Sequence, residues 1–149
     1  MSQIKAKNIL VVEDDEIDFE NFRRTFYKVT QDYALVHAVD GQEALDILLG
    51  KSVDKNIKPV PQIMLLDINL PRLSGLEMLL QLRAHENIKS ISVFILTSSD
   101  AHADIIKAYE LNVAGYLQKP FGKESMLEIV KTLEKYWNIN KFPERKQGL

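Results

Sequence analysis

Five times along this chain a short β-rich apolar run gives way to a longer stretch with helical spacing, and that alternation limits the fold more than any other feature. Switching of this kind marks α/β domains, in which parallel strands are joined by crossover helices. The runs are NILVV (Asn8 to Val12), YALVHAV (Tyr33 to Val39), QIMLLD (Gln62 to Asp67), SVFILT (Ser92 to Thr97) and VAGYLQ (Val113 to Gln118). The first, third and fourth are nearly unbroken in apolar residues, as strands covered on both faces are. The expectation is a five-stranded parallel sheet with helices on both sides.

The intervening stretches carry helix starts and apolar stripes. Phe19, Phe22 and Phe26 share a face after the first run; Ala44, Leu45 and Leu48 follow Asp40, which suits an N-cap. Ser74 and Glu77 fit a capping box ahead of Leu76, Leu79 and Leu80. Ile105, Ile106 and Tyr109 serve a fourth helix, and Met126, Val130, Leu133 and Trp137 make one stripe in the fifth. Core packing accounts for all of these, aromatics included, and no cofactor box is implied. Two segments stand outside the alternation: the link GKSVDKNIKPVP from Gly50 to Pro61, and a tail, 139–149, after a domain spanning 1–138.

At 149 residues the chain suits one well-packed domain. Its composition, 46% apolar and 27% charged, is that of an ordinary globular protein. No apolar run nears the roughly 18 residues of a membrane span. There is no cysteine for disulfides or thiolate ligation, and MSQIKAKNIL lacks the apolar segment of a secretory signal, so a cytoplasmic location is the default. With a formal net charge of -2 there is no basic field to attract phosphate backbones, which argues against nucleic acid as a direct partner.

Asp67 does not fit a purely structural account. Four consecutive apolar residues, Ile63 to Leu66, run straight into it, and burying a carboxylate is costly. In an open parallel sheet, ligands bind beyond the carboxyl ends of strands, where strand order reverses. If the order is 2-1-3-4-5, the first and third strands flank that point, and Glu13, Asp14 and Asp15 converge with Asp67. The fourth strand brings Thr97 and Ser98 to the same edge, and the fifth brings Lys119.

Crowded carboxylates either take up protons or bind a cation. Magnesium suits them, since it accepts one or two carboxylates, keeps water and leaves positions for a phosphoryl group. Asp14 is expected to ligate directly and Glu13 through water, with Asp67 giving a carboxylate oxygen. Each residue alone has a plainer reading: Asp15, or EDD as a whole, caps the first helix; Asp67 caps a turn; Lys119 is a solvated amine. Their joint placement at four strand ends is what carries weight.

These residues resemble the receiver domain of two-component response regulators over about Asn8 to Trp137, through VVEDD, LLDINLPRLSG, ILTSS and GYLQKPF in that order. The resemblance implies the flavodoxin-like, doubly wound α/β fold with strand order 2-1-3-4-5. It implies that Asp67 accepts a phosphoryl group from a histidine kinase, that Glu13 and Asp14 are the acidic metal pair, and that Asn69 gives its carbonyl to the magnesium. Thr97 is similar to the switch hydroxyl, Lys119 to the lysine that pairs with the phosphoryl group, Tyr116 to the rotating aromatic and Pro120 to the family's cis proline. Asn69 and Ser99, each two positions beyond Asp67 or Thr97, stand where the family sets the lifetime of the phosphoryl group. The long link and VEDDEID, with its Asp18, are similar to single-domain regulators that partner bacterial phytochromes.

The function so implied is that of a single-domain response regulator, a phosphoacceptor signalling protein rather than a turnover enzyme. Its partners would be a sensor histidine kinase, of phytochrome type in that subgroup, or a phosphotransfer protein, and then a downstream protein; a homodimer stays open. With no effector domain after the fifth helix, output would leave through the fourth helix, fifth strand and fifth helix. Thr97 would move toward the phosphoryl oxygen and Tyr116 would turn into the space vacated. Three rivals stand against this. A flavin binder needs a Ser/Thr/Gly-rich phosphate loop after the first strand, where this chain is acidic. A phosphatase of the haloacid dehalogenase type carries DxD there, and this chain has EDD. A receiver-like scaffold that is never phosphorylated is the hardest to set aside.

Overall fold

The computed structural model describes residues 7–143. In chain order they form β1 (Lys7–Val12), α1 (Glu16–Val29), β2 (Tyr33–Ala38), α2 (Gly41–Leu48), β3 (Ile63–Leu66), α3 (Gly75–Ala84), β4 (Ser92–Thr97), α4 (His102–Glu110), β5 (Gly115–Gln118) and α5 (Lys123–Ile139). All pairings are parallel, in the order β2-β1-β3-β4-β5, which is the flavodoxin-like doubly wound sheet expected. β3 stops at Leu66 and leaves Asp67 just past its end; β5 starts only at Gly115, with Val113 buried in the turn before it. Of the expected tail, residues 144–149 lie outside those described. Among the described residues no helix is long and apolar enough to cross a membrane.

The central runs are continuous because neighbouring residues on each strand enter opposite cores. Leu10, Val12, Met64, Leu66, Val93 and Ile95 pack with residues of α2 and α3, whereas Ile9, Val11, Ile63, Leu65, Phe94 and Leu96 pack with the stripes of α1 and α5. Each such side chain contributes about 1.5–3 kcal/mol when fully buried. Trp137 is 1% exposed and meets the rings of Phe26, Tyr33 and Phe94, so α5 is docked through its last turns.

Two expected stripes are narrower than their spacing suggests. Leu80 of α3 is 59% exposed; on α4, Ile106 and Tyr109 are about half-exposed, and Ala108 alone is buried. α4 lies against the four-residue β5 at the edge of the sheet, which offers little apolar surface to cover.

Local chemistry sets where the helices begin. Asp15, Asp40 and Ser74 accept from the N–H groups of Asp18, Glu43 and Glu77, each filling an otherwise unpaired donor of a first turn. Gly75 is required by a close approach: a Cβ there would stand 2.5 Å from both the Asp67 carbonyl oxygen and the Ile68 Cα. α3 therefore starts directly against the backbone that carries Asp67. One expectation fails here: the cis bond among the described residues is Lys58 to Pro59, and the bond between Lys119 and Pro120 is not cis. An X–Pro bond prefers trans by only about 0.5–1 kcal/mol, so its surroundings decide.

Candidate functional site

Strand pairing delivers the acids. The Glu13 N–H bonds the Ala38 carbonyl (3.0 Å) and the Asp67 N–H bonds the Val12 carbonyl (3.1 Å), so each acid sits where its strand's ladder ends. Both are buried, at 6% exposure. Asp67 Oδ1 accepts from the Thr97 hydroxyl (2.7 Å) and the Asn69 N–H (2.9 Å), and Oδ2 accepts from Lys119 Nζ (2.9 Å). Glu13 Oε1 accepts from the same ammonium, and Oε2 from the Asp15 N–H (3.2 Å). Asp14 is exposed beside them, and one oxygen each of Glu13, Asp14 and Asp67 lie within 4.8 Å of one another. A cavity of about 310 Å³ runs from Glu13, Asp67 and Lys119 into the cleft between α1 and α5, where Phe22, Lys28 and Met126 line it.

Charge is unbalanced at this edge. Lys119 also meets Asp18 Oδ2 at 3.3 Å, so three carboxylates hold one ammonium. Burial pushes the lysine pKa down, but the bonds to Glu13 and Asp67 outweigh it and leave the ammonium well above its ordinary range. Burial dominates at Glu13 and raises its pKa, against the opposing effects of Lys119 and the Asp15 N–H, while the Asp67 charge adds to the rise. With Asp14 included, four acids face a single lysine. A divalent cation would relieve the surplus, and the donors, all carboxylate oxygens, are those a hard ion takes. The residues present fit such an ion.

Thr97 is fully buried, with its hydroxyl on Asp67, and Asn69 Nδ2 lies 3.5 Å from the same hydroxyl. Thr97 thus starts within hydrogen-bond reach of the carboxylate that it is expected to follow. Ser99 and Tyr116 stand one step outward. The Tyr116 hydroxyl donates to the Ser99 carbonyl (2.9 Å) and the Ser99 hydroxyl donates to Asp104 Oδ2 (2.8 Å), which ties β5 and the first turn of α4 to the end of β4. All the site residues expected from sequence thus gather at one edge. Sequence reasoning does not find the pairing of Asp18 with Lys119; its one signal is the position of Asp18, three residues past the capping Asp15, on the turn of α1 that adjoins the acidic loop.

Comparison with known proteins agrees with this geometry. Residues 9–131 match the response regulator receiver domain. Response regulator Rcp1 of Synechocystis sp. is 34% identical over 131 residues, covering 88% of each chain. The solved Mn(2+)-bound form of Rcp1 superposes with a TM-score of 0.81 at 32% identity, over 93% of this chain and 99% of that one. The phosphorylated cyanobacterial phytochrome response regulator RcpA gives a TM-score of 0.84 at 29% identity, over the same shares. A match of this extent in sequence, on a sheet of the same build, makes the chain a member of the response regulator receiver domain family.

Proposed function

We propose that Asp67 is the phosphoryl acceptor of this receiver and that a sensor histidine kinase, or a phosphotransfer protein, is the donor. The observation that carries this reading is the buried Asp67 carboxylate, held between Lys119 and Thr97 beside Glu13 and Asp14. In the transfer an Asp67 oxygen bonds to phosphorus as the phosphorus–nitrogen bond of a phosphohistidine breaks, and the imidazole leaves with a proton in its place. Such chemistry asks the protein mainly for position and charge neutralisation. Lys119 neutralises a phosphoryl oxygen from one side, and Thr97 turns its hydroxyl from Asp67 Oδ1 to another. Asp14, Asp67, Glu13 and the Asn69 carbonyl would hold a magnesium ion, which would supply further positive charge. That Rcp1 has a Mn(2+)-bound form supports a divalent ion at these acids.

RcpA is a phytochrome response regulator, which supports a phytochrome-type kinase as the donor. We read the face of α4, β5 and α5 as the exit for the signal, toward a downstream protein or a second copy of the chain. The bond from Tyr116 to Ser99 links that face to the site, and the half-exposed Ile106 and Tyr109 give it apolar surface. Asn69 and Ser99, beside Thr97, are the positions that set how long the phosphoryl group lasts.

Incubation with acetyl phosphate and magnesium tests the central claim. The chain should gain the mass of a phosphoryl group in a base-labile bond, and Asp67→Asn should abolish the gain. A base-stable phosphoserine or phosphothreonine in its place would overturn the reading.

A further inference from the structure

His37 has no part in the chemistry above, yet it is fixed on three sides. Its ring stacks on Phe19 of α1, with centroids 3.8 Å apart and planes 3° from parallel. Its Nε2 lies 2.7 Å from the Glu13 carbonyl oxygen. A carbonyl brings no proton to a hydrogen bond, so Nε2 carries the hydrogen and donates. The backbone carbonyl of His37 accepts from Lys55 Nζ, which also pairs with Glu43 Oε1. Lys55 belongs to the long link before β3, and Glu43 to α2. The link is thus fastened to the open edge of β2 at the residue that reaches across to β1.

The atom that His37 holds is what matters. The Glu13 carbonyl belongs to the peptide unit that joins Glu13 to Asp14, and a peptide unit is rigid and planar. Its orientation constrains ψ of Glu13 and φ of Asp14, and with them the relative setting of the two Cα–Cβ bonds from which the carboxylates extend. The preceding unit is already fixed, because the Glu13 N–H is bonded to the Ala38 carbonyl. The His37 side chain supplies the second tie. Without it, the carbonyl would face the β1-to-α1 turn with no strand partner to define it.

We infer that His37 is a positioning residue for the acidic pair: through the Glu13 carbonyl it sets the Glu13-to-Asp14 peptide so that both carboxylates face the cation shared with Asp67. The inference rests on the cation site of the proposed function and adds to it a residue from the edge strand and, behind that, an anchor for the link. His37 touches neither the phosphoryl group nor the ion, and its effect is on affinity.

The test is a calorimetric titration of the full chain with magnesium chloride, with thermal melts in EDTA alongside. His37→Phe keeps a ring on Phe19 but removes the donor; His37→Gln removes the ring but keeps an N–H at similar reach. His37→Phe should weaken magnesium binding about three- to tenfold, the range for losing one hydrogen bond. His37→Gln should stay within about twofold of the wild type. The melt of His37→Phe in EDTA should fall only by the loss of that one hydrogen bond, because the stack survives. Wild-type affinity in His37→Phe would overturn the inference and leave the cation site standing. Loss of affinity in both variants, in step with their melting temperatures, would also overturn it, by making the role structural. If the wild type itself takes up no magnesium, the cation site falls and the inference with it.

Discussion

The Asp18 carboxylate, in the first turn of α1, lies 3.3 Å from the Lys119 ammonium beyond the end of β5, although 101 residues separate them in sequence. The amine assigned to the phosphoryl group is therefore shared with the helix next to the acidic loop. Asp18 is half-exposed, and a pair of that kind contributes at most about 1 kcal/mol. Glu13 and Asp67 are buried and depend on Lys119 far more.

Lys119→Met should lower the stability of the metal-free protein by about 1–3 kcal/mol. A fully buried pair broken on one side costs about 3–5 kcal/mol, and the Lys119 side chain keeps 20% of its surface in water. Magnesium should restore much of the loss, because a ligand of the native state alone stabilises it. Urea melts in EDTA and in magnesium measure both effects. Equal losses in the two conditions would show that the lysine and the ion do not serve the same acids. Asp18→Asn should shift either melt by less than about 1 kcal/mol.

Gly75→Ala places a methyl group against backbone, at 2.5 Å from the Asp67 carbonyl oxygen, where no side chain can swing aside. Overpacking of this type costs about 1–3 kcal/mol, and here the strain falls on the segment that carries Asp67. Labelling by acetyl phosphate should slow along with the loss of stability. Ser74→Ala is the control: it removes the bond to the Glu77 N–H (3.2 Å), should cost about 1 kcal/mol, and should leave the labelling rate unchanged. Slower labelling in both variants would assign the effect to α3 as a whole rather than to the contact at Gly75.

Stability should fall in alkali, and Tyr33 and Lys119 set the sign, with Tyr116, raised by burial, acting in the same direction. Burial raises the pKa of Tyr33 above its ordinary 10.0, helped by the charges of Glu134 and Asp32. As pH rises past that ordinary value the unfolded chain gives up its proton first, so the folded state becomes relatively less stable. Lys119, raised above its ordinary 10.5, contributes in full below that value and loses its contribution as pH climbs toward the native one. None of these groups changes stability between about pH 7 and 9, and all lower it above about 10. Tyr33→Phe should make the alkaline slope shallower while Lys119 and Tyr116 keep part of it. Denaturant melts at stepped pH give the slopes, and an unchanged slope in Tyr33→Phe would remove Tyr33 from the account.

The sheet was legible in the sequence because burial on both faces leaves an unmistakable trace: Ile63 to Leu66 and Ser92 to Thr97 are strands with almost no polar interruption. The site was legible because Glu13, Asp67, Thr97 and Lys119 each stand at or just past the end of a strand, and a parallel sheet brings those ends together. Helix faces were less so. The spacing of Ile105, Ile106 and Tyr109 is that of a buried stripe, but spacing does not say how much surface the neighbouring strand offers. Side-chain ties across long separations left little trace: nothing local to His37 points to Glu13, and only the place of Asp18 beside the acidic loop hints at Lys119.

Tyr116 offers a way to separate receipt of the signal from its output. Its hydroxyl bonds the Ser99 carbonyl at 2.9 Å, and the Ser99 hydroxyl in turn bonds Asp104 in the first turn of α4. That helix has no side-chain cap of its own at Ala101, so these bonds are what secure its start to the end of β4. Tyr116→Phe keeps the half-buried ring and removes one hydrogen bond, whose net contribution is about 0.5–1.5 kcal/mol. Asp67, Thr97 and Lys119 are untouched, so labelling by acetyl phosphate should proceed at the wild-type rate. What should change is the response. Beryllofluoride, standing in for the phosphoryl group, should strengthen self-association or partner binding through the face of α4, β5 and α5 in the wild type, and in Tyr116→Phe that gain should shrink by about two- to tenfold. Sedimentation with and without beryllofluoride reads the first, and a binding titration with the cognate partner reads the second. A full response in Tyr116→Phe would mean that the signal leaves by a route that does not pass through Ser99 and the start of α4.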